Sequence, residues 1–273
     1  MFSDDHGNLL VHRRMPADRI RCEAFRRASL GCPTVAIEVH PTTANCRRLL
    51  ERGDHVLLGV SPFNTQFNES YLTRLFIWAG TTFDRFTVVL PGERETALTL
   101  EAAGTPAVKA ARKARQELNR NTRLIHAALE AAQVAHNGDT LIRLSDFAAD
   151  PAYRGMVEAA EATYRDNPIF RAACQEMSAL VVRGRQRVTG AEGDALTIEQ
   201  IEMATRYVFA EIPIFLNTPA LLNLPSSVLA YHRPWPIGDL LFSGTLPIRV
   251  DARQGYVVLQ TGQDAGYGRE DAA

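Results

Sequence analysis

With 273 residues, 46% of them hydrophobic and 22% charged, the chain is long enough to bury one sizeable core. A net charge of −1 excludes a broadly basic nucleic-acid binder, so any contact with a polyanion must come from a local patch. No apolar run reaches the length of a membrane span and the polar N-terminus does not read as a signal peptide. Cys22, Cys32, Cys46 and Cys174 show neither CxxC nor metal-ligand spacing with the 7 histidines, which predicts free thiols in a reducing cytoplasm and no metal site.

Residues 1–29 are polar and Arg-rich and are expected to be poorly ordered, leaving a globular domain over 30–262 and a loose tail over 263–273. A first strand is predicted over 34–39. The next stretch, His55-Val56-Leu57-Leu58-Gly59-Val60-Ser61-Pro62-Phe63-Asn64, is the most informative in the chain. An aliphatic run that stops at Gly-x-Ser and a proline turn reads as a buried strand opening into a loop. In open α/β sheets that edge is where ligands bind. Alternation puts Leu57, Gly59 and Ser61 on one face and Val56, Leu58 and Val60 on the other. A hydroxyl then sits at the strand mouth, beside a glycine that leaves space for a ligand. A serine in this place is by itself also a common cap or turn former.

A helix over 69–79, a strand over 86–90 ended by Pro91-Gly92, and two further helices follow, the second a long one over 106–134. Between Val108 and Ile125 that long helix carries Lys109, Arg112, Lys113, Arg115, Arg120 and Arg123 against a single acid, Glu117. Lys109, Arg112, Lys113, Arg120 and Arg123 fall within a sector of roughly 100°, with Ala111, Ala114, Leu118 and Ile125 opposite. A solvated face is the usual meaning of a charged helix. A stripe of nearly one sign in a neutral protein also suits a phosphate backbone.

A strand over 141–144, two helices within 151–182 and a polar loop over 183–194 precede a well-marked helix start, the capping box of Thr197 and Gln200. On this helix Tyr207 and Glu211 stand at i and i+4, so phenol and carboxylate share a face. Glu211 is surrounded by the apolar run from Val208 to Phe215, which predicts a part-buried carboxylate in need of a partner. The chain closes with a strand over 228–231, a short helix over 237–242, and a hairpin of 246–250 and 256–260 turning at Gln254-Gly255. Strands alternating with helices predict an α/β domain with a central parallel sheet covered on both faces. Neither GxGxxG nor GxxxxGK[ST] occurs, so neither dinucleotide nor P-loop chemistry is indicated.

Three separated segments together resemble the cyclodipeptide synthases, which join amino acids from two aminoacyl-tRNAs into a diketopiperazine. They are the strand-end His55 to Asn64, the helical Tyr207-x-x-x-Glu211-x-Pro213, and Pro225-Ser226-Ser227-Val228-Leu229-Ala230-Tyr231-His232. Asn64 with Tyr231-His232 resembles the subfamily marked by Asn, Tyr and His at these places, and the resemblance spans roughly 54–260. Phe63, where a small residue is common, and Asn68, where Ser or Thr is frequent, depart from the pattern and put the shape of the loop after Ser61 in question.

The resemblance implies a single Rossmann-like domain similar to the catalytic domain of class I aminoacyl-tRNA synthetases. It implies no cofactor, since an aminoacyl ester is already activated and needs no ATP. By the same resemblance Ser61 accepts the first aminoacyl group, and Glu211 with Tyr207 holds its ammonium. Tyr207 or Tyr231 relays protons, Asn64 braces the loop, and His232 packs behind Tyr231. Help for Ser61 is left open between Tyr231 and the departing ribose; His55 lies about 20 Å away along an extended strand and shows no triad pattern.

The residues expected near the first side chain, Leu57, Gly59, Val89, Ile214 and Leu229, are apolar and favour Leu, Phe or Met, with Trp235 favouring an apolar second partner. The basic helix is assigned to tRNA, and the protein is expected to be a cytoplasmic monomer or weak homodimer. Two alternatives stay open: a tRNA-binding protein without catalysis, or a transferase that stops at a linear dipeptide. A serine hydrolase is weaker, because a nucleophile elbow needs Gly where Phe63 stands.

Overall fold

Unbroken apolar runs, rather than alternation, mark strands covered on both faces, and two of them form the middle of the sheet. The computed structural model describes residues 37–190 and 195–261. Its strands are β1 (Ile37–Pro41), β2 (His55–Gly59), β3 (Arg85–Leu90), β4 (Leu141–Arg143), β5 (Ser227–Tyr231) and β6 (Gln254–Thr261), in the spatial order β1-β6-β5-β2-β3-β4. The helices are α1 (Ala44–Arg52), α2 (Glu69–Thr82), α3 (Glu93–Ala102), α4 (Ala107–Ala132), α5 (Pro151–Asp166), α6 (Pro168–Thr189), α7 (Ile198–Leu221) and α8 (Pro236–Phe242). The expected poorly ordered N-terminal segment, the C-terminal tail, and Cys22 and Cys32 lie outside the described residues, whereas Cys46 and Cys174 are buried free thiols.

The sheet is mixed rather than wholly parallel. β2 through β6 run parallel, and β1 pairs antiparallel with β6, Val39 facing Leu259. The expected C-terminal hairpin does not form. β6 lies between β5 and β1, so neither edge is left for a hairpin partner, and Pro247 would deny a strand one of its donors. Leu246 and Ile248 are nonetheless buried; their apolar pattern reflects packing onto the core.

Two further elements differ from expectation. α1 is an additional helix, opened by the Thr43 side chain accepting from the Cys46 N–H and closed by Gly53 at φ 67°. The supposed polar loop after residue 182 is helical to 189, because the first residue to stop the helix is Gly190, left-handed at φ 70°. α7 begins with the expected capping box. It contains Pro213 and Pro219 and breaks at Asn217.

The pleat sorts side chains into two cores. Leu57, Val89, Leu229, Tyr231, Tyr256 and Val258 join α7 residues such as Val208, Ile212 and Phe215 on one face. Val56, Leu58, Val88, Val228 and Val257 meet α2 and α4 on the other, against Leu72, Phe76, Leu118 and Ile125. From β2 the chain proceeds outward to β3 and β4, and from β5 it proceeds the opposite way to β6. The crevice beyond the carboxyl ends of β2 and β5 is therefore a topological switch point, the usual place for a ligand in an open α/β sheet.

Candidate active site

Ser61 and His232 each follow one of the two strands flanking that switch point, and the glycine of β2 explains how closely they approach. A Cβ on Gly59 would lie 2.8 Å from the Tyr231 ring. The space kept by Gly59 is thus filled by Tyr231 rather than left open for a ligand. Parallel pairing of β2 with β5, Leu58 opposite Ala230, sets this contact. The Tyr231 hydroxyl then donates to Glu211 Oε2 at 3.1 Å.

Glu211 is 4% exposed. Burial raises its carboxyl to about 7, opposed by hydrogen bonds from Tyr207 and Tyr231 and by the charge of Arg185. Both phenols are pushed well above their ordinary value, first by burial and then by Glu211, so at neutral pH they remain donors. The i, i+4 spacing of Tyr207 and Glu211 does what the sequence predicted, and Tyr231 completes a carboxylate held by two phenols. Pro213 stands two residues on, within the helix, and the buried Tyr153 hydroxyl donates to the Ala210 carbonyl at 2.8 Å. Burial pushes Tyr153 up as well. A buried carboxyl near its midpoint, ringed by donors, gains most from an arriving cation of ammonium size.

The loop after Ser61 is tied at several points. The Asn64 amide donates to His232 Nε2 at 2.9 Å, and its carbonyl oxygen accepts the Gln66 N–H at 3.0 Å. His232 stacks 6.4 Å from the Tyr231 ring and meets the Phe67 ring in a T-shaped contact at 4.9 Å. Asn68 caps α2 by accepting from the Tyr71 N–H, the task a Ser or Thr performs at such a position. Phe63 sits at φ 61°, a strained value for a bulky residue that costs about 1–3 kcal/mol.

His55 is a structural residue. Nδ1 meets Ser227 Oγ at 2.8 Å and Nε2 meets Thr87 Oγ1 at 3.1 Å. Burial, reinforced by Arg85, lowers it to about 3, so it stays neutral and ties β2 to its neighbours.

Leu57, Val89, Ile214 and Leu229 are buried together on the Tyr231 face. Trp235 stacks on Phe215 with centroids 4.4 Å apart and planes 9° apart, a tight core contact. On α4, Lys109, Arg112, Arg120 and Arg123 are exposed and Lys113 half-buried, with Ala114, Leu118 and Ile125 buried behind them. Arg120 is already paired with Glu117 at 2.9 Å, and Arg115 with Glu93 at 2.8 Å.

Arg185 is the residue the sequence reading misplaced. Instead of lying in a polar loop it is 8% exposed, its Nε donating to Thr99 Oγ1 at 3.1 Å. Its guanidinium carbon lies 5.0 Å from the Phe63 ring centroid. Burial lowers its pKa below the ordinary arginine value; Tyr207, Glu211 and Glu117 oppose that shift and Arg233 adds to it. Its signal was the buried series Ser178, Val182, Arg185 at helical spacing. Among the described residues no cluster of three or more His, Cys, Asp or Glu could hold a metal ion, and no helix is long and apolar enough to cross a membrane.

A sequence model of the cyclodipeptide synthase family matches residues 37–261. A cyclo(L-leucyl-L-leucyl) synthase of Bacillus subtilis is 40% identical over 220 residues, 80% of this chain and 87% of that protein. The crystal structure of a cyclodipeptide synthase from Bacillus thermoamylovorans aligns with a TM-score of 0.77 at 32% identity, covering 82% of this chain and 96% of the other. A Mycobacterium tuberculosis structure, described as showing that cyclodipeptide synthetases are related to type I tRNA synthetases, aligns at 0.70 and 29% identity over 84% of this chain and 95% of its own.

Proposed function

The chain belongs to the cyclodipeptide synthase family, and we propose that it makes its cyclic dipeptide through an aminoacyl-enzyme on Ser61, with Glu211 holding the amino group of the bound residue. The observation that carries this reading is the run of contacts from Gly59 through the Tyr231 ring to the Glu211 carboxylate. It puts a buried acid beside the strand whose end bears the serine.

In the first step Ser61 Oγ attacks the ester carbon of an aminoacyl-tRNA. A serine ester forms, the bond between the acyl carbon and the ribose oxygen breaks, and the ribose oxygen leaves with the proton given up by Ser61. The new ester's ammonium binds Glu211. With its carboxyl near 7, Glu211 is the group able to take a proton from that ammonium, which frees the amine to attack the ester carbon of a second aminoacyl-tRNA; the peptide bond forms as that ester's acyl C–O bond breaks and the second ribose oxygen leaves with a proton. The second amino group then attacks the serine ester, closing the ring and returning the proton to Ser61. Tyr207 and Tyr231, held as neutral phenols, supply hydrogen bonds to the carboxylate and relay protons as donors.

The lining of Leu57, Val89, Ile214 and Leu229 supports a hydrophobic first residue, since a polar side chain there would lose roughly 1–3 kcal/mol per unpaired group. The leucyl product named for the Bacillus subtilis relative is in keeping with this. The exposed cations of α4 support docking of the tRNA backbone on that face, and the reaction as a whole suits a cytoplasmic protein acting as a monomer or weak homodimer. Mass spectrometry of medium from cells expressing the protein tests the reading. Diketopiperazines of Leu, Phe or Met are expected from wild type and none from Ser61→Ala. Product from the alanine variant at near wild-type yield would refute it.

A further inference from the structure

The acid that interrupts the cationic stripe of α4, Glu117, does more than break its charge. The Glu117 side chain is 13% exposed, and a single oxygen, Oε1, accepts both the Phe63 backbone N–H at 3.1 Å and Arg120 Nη1 at 2.9 Å. Phe63 is two residues beyond Ser61 and carries the left-handed φ of 61°. Such a conformation in a bulky residue persists only when its surroundings over-determine it. Here they do so from two sides. The ring packs on Ala97, Leu100, Ala110 and Ala114, with the Arg185 guanidinium 5.0 Å from its centroid. The backbone is gripped by Glu117.

Between the two residues stands Pro62, whose ring fixes its own φ and restricts Ser61 to extended backbone. The segment therefore has little slack, and a displaced Phe63 carries Ser61 with it. We propose that Glu117 is a positioning residue for Ser61, holding the Phe63 corner from which the serine is presented. The inference rests on Ser61 being the acylated residue. It makes the helix that bears the cationic stripe also the support of the nucleophile loop.

Two conservative substitutions separate reach from charge. Glu117→Gln keeps an oxygen at the same distance and removes the charge, whereas Glu117→Asp keeps the charge and withdraws the oxygen by one methylene. The measurement is the single-turnover rate of protein acylation at saturating leucyl-tRNA, with the affinity for that tRNA determined separately. The wild-type adduct is checked by intact mass against Ser61→Ala. Glu117→Gln is expected within about threefold of wild type and Glu117→Asp slower by about tenfold or more, with affinities that do not follow this order. A slow Gln variant beside a fast Asp variant, equal loss in both, or wild-type rates in both would each overturn the proposal. A wild type that forms no adduct would instead refute acylation of Ser61 itself.

Discussion

At Glu211 a carboxyl raised to about 7 must serve as an anion only when a cation arrives, and that sets two pH dependences. Unfolded, the group ionises near 4.5; folded, it keeps its proton to about 7. Over that window the native state binds more protons, so its contribution to stability is fully present below 4.5 and is lost as pH rises through 7. Glu211→Gln removes the penalty. The variant should gain up to about 3 kcal/mol over wild type at pH 8 and almost nothing at pH 4.5, read by urea unfolding at the two values. Its yield of cyclic product should fall strongly, and the wild-type kcat/KM should rise with pH toward a limb near 7. A variant no better at pH 8 than at pH 4.5 would mean that burial does not strain this acid. His55, buried but satisfied by Ser227 and Thr87, has no such role.

Among the elements, those whose signals are local were legible in the sequence. The strand ending at Ser61, the capping box of α7 and the i, i+4 pair of Tyr207 and Glu211 need only neighbours in the chain, and each stands where the pattern put it. What failed depended on partners far away. The hairpin does not form because β1 occupies the free edge of β6, and Arg185 was misread because its burial is created by Thr99 and Phe63. Glu117 looked like a break in a basic stripe because its bond to the Phe63 N–H spans two distant segments. For α4, replacing Lys109, Arg112 and Lys113 by Ala should weaken tRNA binding and reduce the salt slope by about one unit for each phosphate no longer neutralised. Exposed Arg47 and Arg48 on α1 are the comparison, and their removal should leave the slope nearly unchanged. An unaltered slope in the triple variant would make the stripe a solvated face.

Across the described residues, the sheet separates two apolar cores and leaves its chemistry at the mouth of β2 and β5, where the chain's direction of winding reverses. Every part of the proposed reaction depends on that arrangement delivering one event, transfer of an aminoacyl group to Ser61 Oγ. The most direct measurement is therefore made on the protein itself. Wild type is mixed with labelled leucyl-tRNA, quenched in acid within the first turnover, and analysed by intact mass and peptide mapping. A leucyl increment confined to the peptide containing Ser61, and absent from Ser61→Ala, is the predicted result. Cyclic dipeptide formed at full rate with no covalent increment at any time, or with the increment on another residue, would contradict it.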